Sequence, residues 1–337
     1  MRRRRFLQGV TLLAAGGLAG HVHANRQAAG TGLVYDEHYL DHSLGPTHPE
    51  SPRRLTTLRQ QFQDEGLLQQ LEAMTPASDP GSALEAIHTR EHIDAIAGRY
   101  PVSHKVALAA AGGMTVAVNA VMAGAMRNAF CASRPPGHHA LNTGREEGFC
   151  FYNHIAIAAR HLQRQYGLER ILIVDWDYHH GNGTEAAFYD DPSVLFFSTH
   201  DVDAYPGTGH AARTGEGRGK GYNINVPLAC GATDAAIIEA FRHQLLPAAH
   251  DFRPEFILIS AGFDSRVSDL LGCFNITDDG FRRLTRMLME LAGQHCEGRL
   301  VSLLEGGYNL KGNASAAAAH TRALVEQTDQ VVVSPRV

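Results

Sequence analysis

The chain has 337 residues, of which 44% are hydrophobic, 7% aromatic and 19% charged, and a formal net charge of −5. This composition excludes a disordered, collagen-like or coiled-coil chain and provides enough apolar material for a large core. The acidic balance gives the chain no affinity for the phosphate backbone of nucleic acid.

The first 24 residues differ from the rest. A basic head, "MRRRRFLQG", leads into a short apolar run, "VTLLAAGGLAG", and "HVHA" closes it with small residues at Val22 and Ala24. The pattern predicts a secretory signal, too short for a stable membrane anchor. Arg3, Arg4, Phe6 and Leu7 follow the twin-arginine export pattern, with Gln8 where Lys is common. The expectation is cleavage after Ala24 and delivery of an already folded chain to the periplasm. Removal of residues 1–24 takes away four arginines and no acid, which leaves 26 Lys plus Arg against 35 Asp plus Glu.

In chain order, six apolar runs read as buried strands: "GLVY" (32–35), "NAFCAS" (128–133), "ILIVD" (171–175), "SVLFFST" (193–199), "FILISAG" (256–262) and "LVSLLEGG" (300–307). Between them, residues 106–126, 151–167, 234–252 and 278–295 place apolar side chains three and four apart, as amphipathic helices do. Continuous apolar strands alternating with helices predict an α/β fold, a single mostly parallel sheet with helices on both faces, in one domain over 25–337. Cys131, Cys150, Cys230, Cys273 and Cys296 are odd in number and form no CxxC, so they read as mostly buried thiols rather than staples.

The polar residues concentrate just after the strands, where open α/β sheets place their ligand sites. "DWDYHHGNG" follows "ILIV" directly and loads Asp175, Asp177, His179 and His180 onto one strand end. Carboxylate and imidazole suit Zn²⁺, and a catalytic zinc keeps three protein ligands and one open position. Asp177 and His179, two apart, point to one side of an extended segment, and Asp264 after "FILISAG" is the best third candidate. The alternative is that Asp177 and His179 only cap the following helix. His138 and His139 in "RPPGHH" reach the same rim, where one can take a proton from water and a carboxylate such as Asp175 can orient the other. Tyr308 in "LEGGYN" offers a phenol donor to a developing oxyanion, and Gly306 and Gly307 let the backbone turn there.

Taken in order, "GPTHPESPRRL", "RPPGHHA", "DWDYHHGNG", "PGTG", "SAGFD", "LGCFN" and "LEGGYN" resemble the histone deacetylase and acetylpolyamine amidohydrolase family, over essentially the whole chain after residue 24. The resemblance implies the arginase/deacetylase fold and a class II-like, zinc-dependent deacetylase. It implies one Zn²⁺ per chain on Asp177, His179 and Asp264, with Tyr308 as electrophilic donor. His139 becomes general base and acid, with Asn182 behind it, and His138, held by Asp175, its electrostatic companion. Gly148, Phe149, Tyr205, Leu271 and Gly306 would form the substrate tunnel. A structural K⁺ or Na⁺ would lie near Asp175, Asp177, His179, Ser198 and Thr199, largely on backbone oxygens.

The implied substrate is an acetyl or other acyl group on a lysine-like or other long-chain primary amine, with acetylated polyamines as the alternative. An inactive binder of acetylated ligands is the rival of another class. An arginase-like ureohydrolase needs further acid ligands for a second metal, and Ser265 and Arg266 supply none. Three departures stand out. Asn182 replaces the Asp of some branches, leaving His139 less basic; Tyr205 stands where Phe is frequent; and "GRYPVSHKVALAAAGG" is shortened where relatives carry a substrate-contacting loop.

Overall fold

The computed structural model describes residues 30–330, so the export signal expected at 1–24 lies outside the described residues. Eight strands, β1 (Thr31–Val34), β2 (Leu71–Met74), β3 (Asn128–Cys131), β4 (Ile171–Asp175), β5 (Val194–His200), β6 (Asn223–Pro227), β7 (Phe256–Ala261) and β8 (Leu300–Leu304), form one sheet in the order β2-β1-β3-β8-β7-β4-β5-β6. Every neighbouring pair is parallel. All six expected strands are present. The two that sequence reading missed, β2 and β6, are the sheet edges. An edge strand need not bury both faces, so "LEAM" and "NINVP" carry no continuous apolar run.

The helices among the described residues are α1 (Arg53–Asp64), α2 (Arg90–Arg99), α3 (Pro101–Met122), α4 (His154–Tyr166), α5 (Asn182–Phe188), α6 (Asp234–Ala240), α7 (Leu246–Phe252), α8 (Asp278–His295) and α9 (Leu310–Gln330). The stretch 234–252 is one rod, since a π-turn at Phe241–Leu245 joins α6 to α7. Asn153 caps α4 by accepting from Ala156 N, and Gly167, in the left-handed region at φ 68°, ends it. α2 and α3 are joined by Tyr100 alone.

Strand side chains alternate between two cores. Leu172, Val174 and Trp176 face the side covered by α1, α8 and α9, while Ile171 and Ile173 face α3 and α4. α3 is long and apolar enough to cross a membrane by length and composition, yet it packs on β3 and α4 with Ala107, Ala110, Ala111, Met114 and Ala117 buried.

Cysteine usage differs from the expectation in one pair. Cys230 and Cys273, 43 residues apart, are joined as a disulfide with a Cα–Cα distance of 5.3 Å. Only the tertiary fold brings the segment after β6 beside the segment after β7, so spacing gave no sign of it. Cys131, Cys150 and Cys296 are buried free thiols, as expected.

Candidate active site

All strands run the same way, so the segments following β3, β4, β5, β7 and β8 emerge on one rim, and these segments, with the last residues of β4 and β5, carry the candidate residues. Asp175 closes β4, and its Oδ1 accepts from Asp177 N at 3.0 Å. Asp177 Oδ1 accepts from His179 N at 2.8 Å and Asp177 Oδ2 from Gly306 N at 2.8 Å, while Asp264 Oδ1 accepts from Tyr178 N at 2.8 Å. Neither Asp177 nor His179 caps the next helix, whose N-cap is Gly181 without a side-chain cap.

The free edges of Asp177, His179 and Asp264 converge, with one ligand atom from each within 4.8 Å of the others. His179 Nδ1 lies 3.2 Å from Asp177 Oδ1 and 3.0 Å from Asp264 Oδ2. Burial pushes Asp264 up to about 7, helped by the negative Asp177. His179 rises to about 10 although burial opposes it, because both carboxylates hold its proton. Two buried acids facing one imidazole are short of positive charge, and a divalent cation supplies that charge. The backbone supports the same conclusion. A Cβ on Gly306 would lie 2.7 Å from Asp177 Oδ2 and closer still to Asp264 Oδ2, so glycine alone leaves the carboxylates room to converge. The donor set therefore fits a tetrahedral N/O ion such as Zn²⁺. Ser265 and Arg266, which stand after Asp264 and offer no acid ligand to a second metal, are engaged elsewhere: Ser265 Oγ donates to Trp176 O at 2.5 Å, and Arg266 pairs with Asp278 at 2.6 Å.

The histidine pair divides into two roles. His138 Nδ1 lies 2.9 Å from Asp175 Oδ2, and its pKa is raised well above the usual value: burial works against this, but Asp175, Asp177 and Glu305 outweigh it. His139 Nδ1 lies 2.8 Å from Asn182 Oδ1. An amide oxygen only accepts, so Nδ1 carries the proton and Nε2 keeps its lone pair. Burial, then the neighbouring His138 and His179, holds His139 well below the usual value, so it is neutral. Tyr308, 4% exposed, is kept as the phenol by burial and by Asp264.

A cavity of about 460 Å³ leads to these groups, lined by His139, Glu146, Gly148, Phe149, Tyr178, His179, Ala204, Tyr205, Leu271 and Tyr308. Four of the five expected wall residues are in place. Gly306 lies against the Asp177 and Asp264 carboxylates, with its N–H donating to Asp177 Oδ2. Gly148 and Phe149 both have positive φ, 53° and 70°, and the Phe149 strain is held by the Glu146 carboxylate accepting its N–H. Of the residues assigned to a monovalent cation, Asp175 and Ser198 are register partners. Ser198 Oγ bonds His200 Nδ1 at 2.9 Å, while Thr199 Oγ1 is buried without a partner.

Sequence reading missed several supports. Glu305 Oε2 accepts from Gly137 N at 2.6 Å and His138 N at 3.2 Å, and its Oε1 accepts from Ser260 Oγ at 3.0 Å, fixing the loop that carries the histidines. Arg54 donates to Gly307 O at 2.7 Å and stands 5.1 Å from the Tyr308 ring centre. Glu50 joins Arg54, Arg134 and His42 in a fully buried cluster. Glu305 and Arg134 left one visible sign, a charge inside or just after an apolar run, whereas Glu50 and Arg54 lie in the polar stretch "HPESPRR" and left none.

A parallel eight-stranded sheet with this site off its carboxyl ends defines a hydrolase of the arginase/deacetylase fold. Residues 48–324 match the Histone deacetylase domain, and the chain belongs to that family of hydrolytic deacetylases. It is 38% identical over 297 residues to a "Probable deacetylase" of Archaeoglobus fulgidus, covering 84% of this chain and 82% of the relative. It is 37% identical to Histone deacetylase 15 of Arabidopsis thaliana (89% of this chain, 57% of the relative) and 36% identical to Polyamine deacetylase HDAC10 of Homo sapiens (88% and 48%). The chain thus spans about half the length of these two eukaryotic relatives. The crystal structure of the HDA15 HD domain superposes with a TM-score of 0.84 at 36% identity, covering 92% of this chain and 91% of that one.

Proposed function

We propose that the protein is a zinc-dependent amidohydrolase that removes an acetyl or similar acyl group from a lysine-like or other long-chain primary amine, releasing acetate. The observation that carries this reading is the Asp177–His179–Asp264 cluster beside one cavity whose walls include His179, the His139 imidazole and the Tyr308 phenol. Asp177, His179 and Asp264 would hold one Zn²⁺ per chain, which when bound supplies Lewis acidity toward the amide oxygen and the attacking water.

The chain's own residues supply the remaining chemistry. The Gly148, Phe149, Tyr205 and Leu271 walls admit an apolar stem and leave the charged or bulky end outside. His139, neutral with Nε2 free, takes the proton of the water as it attacks, and Asn182 holds the ring in that tautomer. The Tyr308 hydroxyl donates to the oxyanion of the tetrahedral intermediate. The protonated histidine then returns its proton to the amine nitrogen, and the C–N bond breaks to give acetate and free amine. His138, protonated against Asp175, contributes fixed positive charge. A monovalent K⁺ or Na⁺ beside Asp175, Ser198 and Thr199 would be structural, and the twin-arginine pattern supports action in the periplasm.

A second substrate class, acetylated polyamines, is favoured by one observation: the Glu146 carboxylate lines the cavity and forms no ion pair among the described residues. Purified protein assayed on a fluorogenic acetyl-lysine amide tests the proposal, alongside Tyr308→Phe. The expected result is turnover by the native chain and a loss of about a hundredfold or more in kcat for the variant, which keeps its zinc. An inactive native chain with full zinc, or a variant with near-native kcat, overturns it.

A further inference from the structure

We propose that Asp269 is the positioning residue for Tyr308, tying the oxyanion donor to the rim of the substrate cavity through a single carboxylate. The inference rests on the reading of Tyr308 given above and adds what holds that residue in place.

Tyr308 has no helical or strand backbone of its own. It lies between the end of β8 at Leu304 and the start of α9 at Leu310, after two glycines, one of them at φ 119°. Such a segment has little intrinsic preference for one conformation. Its amides are held from outside. Asp269 Oδ2 accepts from Tyr308 N at 2.7 Å and from Asn309 N at 2.9 Å, while Asp269 Oδ1 accepts from Leu271 N at 2.9 Å. The Asn309 side chain closes the loop in return, donating from Nδ2 to Ser268 O at 2.8 Å, and its Oδ1 accepts from Gly312 N at 3.0 Å.

Ser268 adopts φ 66°, a left-handed conformation uncommon for a residue with a Cβ, and this turn directs the Asp269 carboxylate toward the Tyr308 amide. Hydrogen bonds from backbone N–H groups to an ionised carboxylate are about twice as strong as neutral ones, so one side chain can hold both segments. Tyr308 and Leu271 also line the same cavity. A substrate pressing on the Leu271 wall therefore bears on the segment whose carboxylate sets the phenol. A misplacement of about 1 Å at a reacting group costs on the order of a hundredfold in rate, which makes this clasp a lever on turnover.

The test is a double-mutant cycle with Asp269→Asn and Tyr308→Phe, supported by hydrogen–deuterium exchange. Asp269→Asn keeps the shape but puts an amide N–H₂ where one acceptor stood. The expected result is native zinc content, a tenfold or greater fall in kcat with KM within about threefold, and faster exchange in peptides covering 305–310. In the Tyr308→Phe background the same change should cost less than twofold, because the group it positions is gone. Losses that multiply, or an Asp269→Asn enzyme with native kcat and native exchange, overturn the proposal while leaving the Tyr308 assignment standing. A Tyr308→Phe enzyme with native kcat overturns both. Should Asp269→Asn not fold, Asn309→Ser serves, since it can still cap Gly312 N but loses the bond to Ser268 O. It should show the same non-multiplying pattern at smaller size, and multiplying losses there overturn the proposal equally.

Discussion

Acidification from pH 7 to 5 should destabilise the protein steeply, through four histidines outside the catalytic cluster. His88, His154, His200 and His320 are buried as neutral rings, and burial holds them down at about 3, 4, 3 and 3. An unfolded histidine titrates near about 6.5. The folded values are depressed, so the unfolded chain binds more protons, and the stability is complete above about pH 6.5 and lost as pH falls below it. At pH 5 each ring costs about 2 kcal/mol, and four cost about 8 kcal/mol, comparable with a whole domain stability of about 5–15 kcal/mol. His138 and His179 are raised in the folded state and hold their protons in both states below pH 6.5, so they add no slope there. Glu50 is held below the usual carboxylate range because His42 and Arg134 outweigh its burial, so its contribution falls away only below about pH 4.5. Burial raises Asp264 and Glu305 to about 7, so the folded chain takes up their protons first and offsets two of the four, while His139, held low, adds to the histidine share; urea unfolding at pH 7.0, 6.0, 5.5 and 5.0 should show net uptake of about two to three protons, or about 3–4 kcal/mol per pH unit. His320→Gln, which removes the ring bonded to Thr285 Oγ1 and Ser302 Oγ, should lower that uptake by one proton in the same buffers. Uptake below one proton, or an unchanged slope in His320→Gln, would refute the reasoning.

Gly306→Ala should reduce zinc affinity by at least ten- to a hundredfold with little change in fold, since the new methyl forces apart the Asp177 and Asp264 carboxylates; a chelator competition reads this out, and native affinity counts against the site. Glu50→Ala should cost about 3–5 kcal/mol in urea unfolding at pH 7, because it strands Arg134 and Arg54 without their buried counter-ion, and a loss under about 1 kcal/mol contradicts that account. Leu271→Glu should shift kcat/KM from acetyl-lysine compounds toward acetylspermidine, since the native aliphatic wall gives a second ammonium no partner; a native enzyme already faster on acetylspermidine would transfer that role to Glu146.

Much of this protein was legible in the sequence because a parallel sheet buried on both faces writes its central strands as unbroken apolar runs. β3, β4, β7 and β8 are such runs, and the residues just past them, Asp177, His179, Asp264, His138, His139 and Tyr308, had to share a rim. Edge strands β2 and β6 left no such mark, because their outer sides need not be apolar. The tertiary structure alone decided what depends on distances between segments far apart in the chain. It set the Gly306 N–H on the Asp177 carboxylate, 129 residues away, and joined Cys230 to Cys273 across 43 residues. It set the Glu305 carboxylate under His138, 167 residues away, and the Asp269 carboxylate under Tyr308. A motif records which groups chemistry needs at a strand end, because the strand itself carries them there. The carboxylates that hold those groups still come from other loops, and only packing brings a charge and its amide within hydrogen-bonding reach.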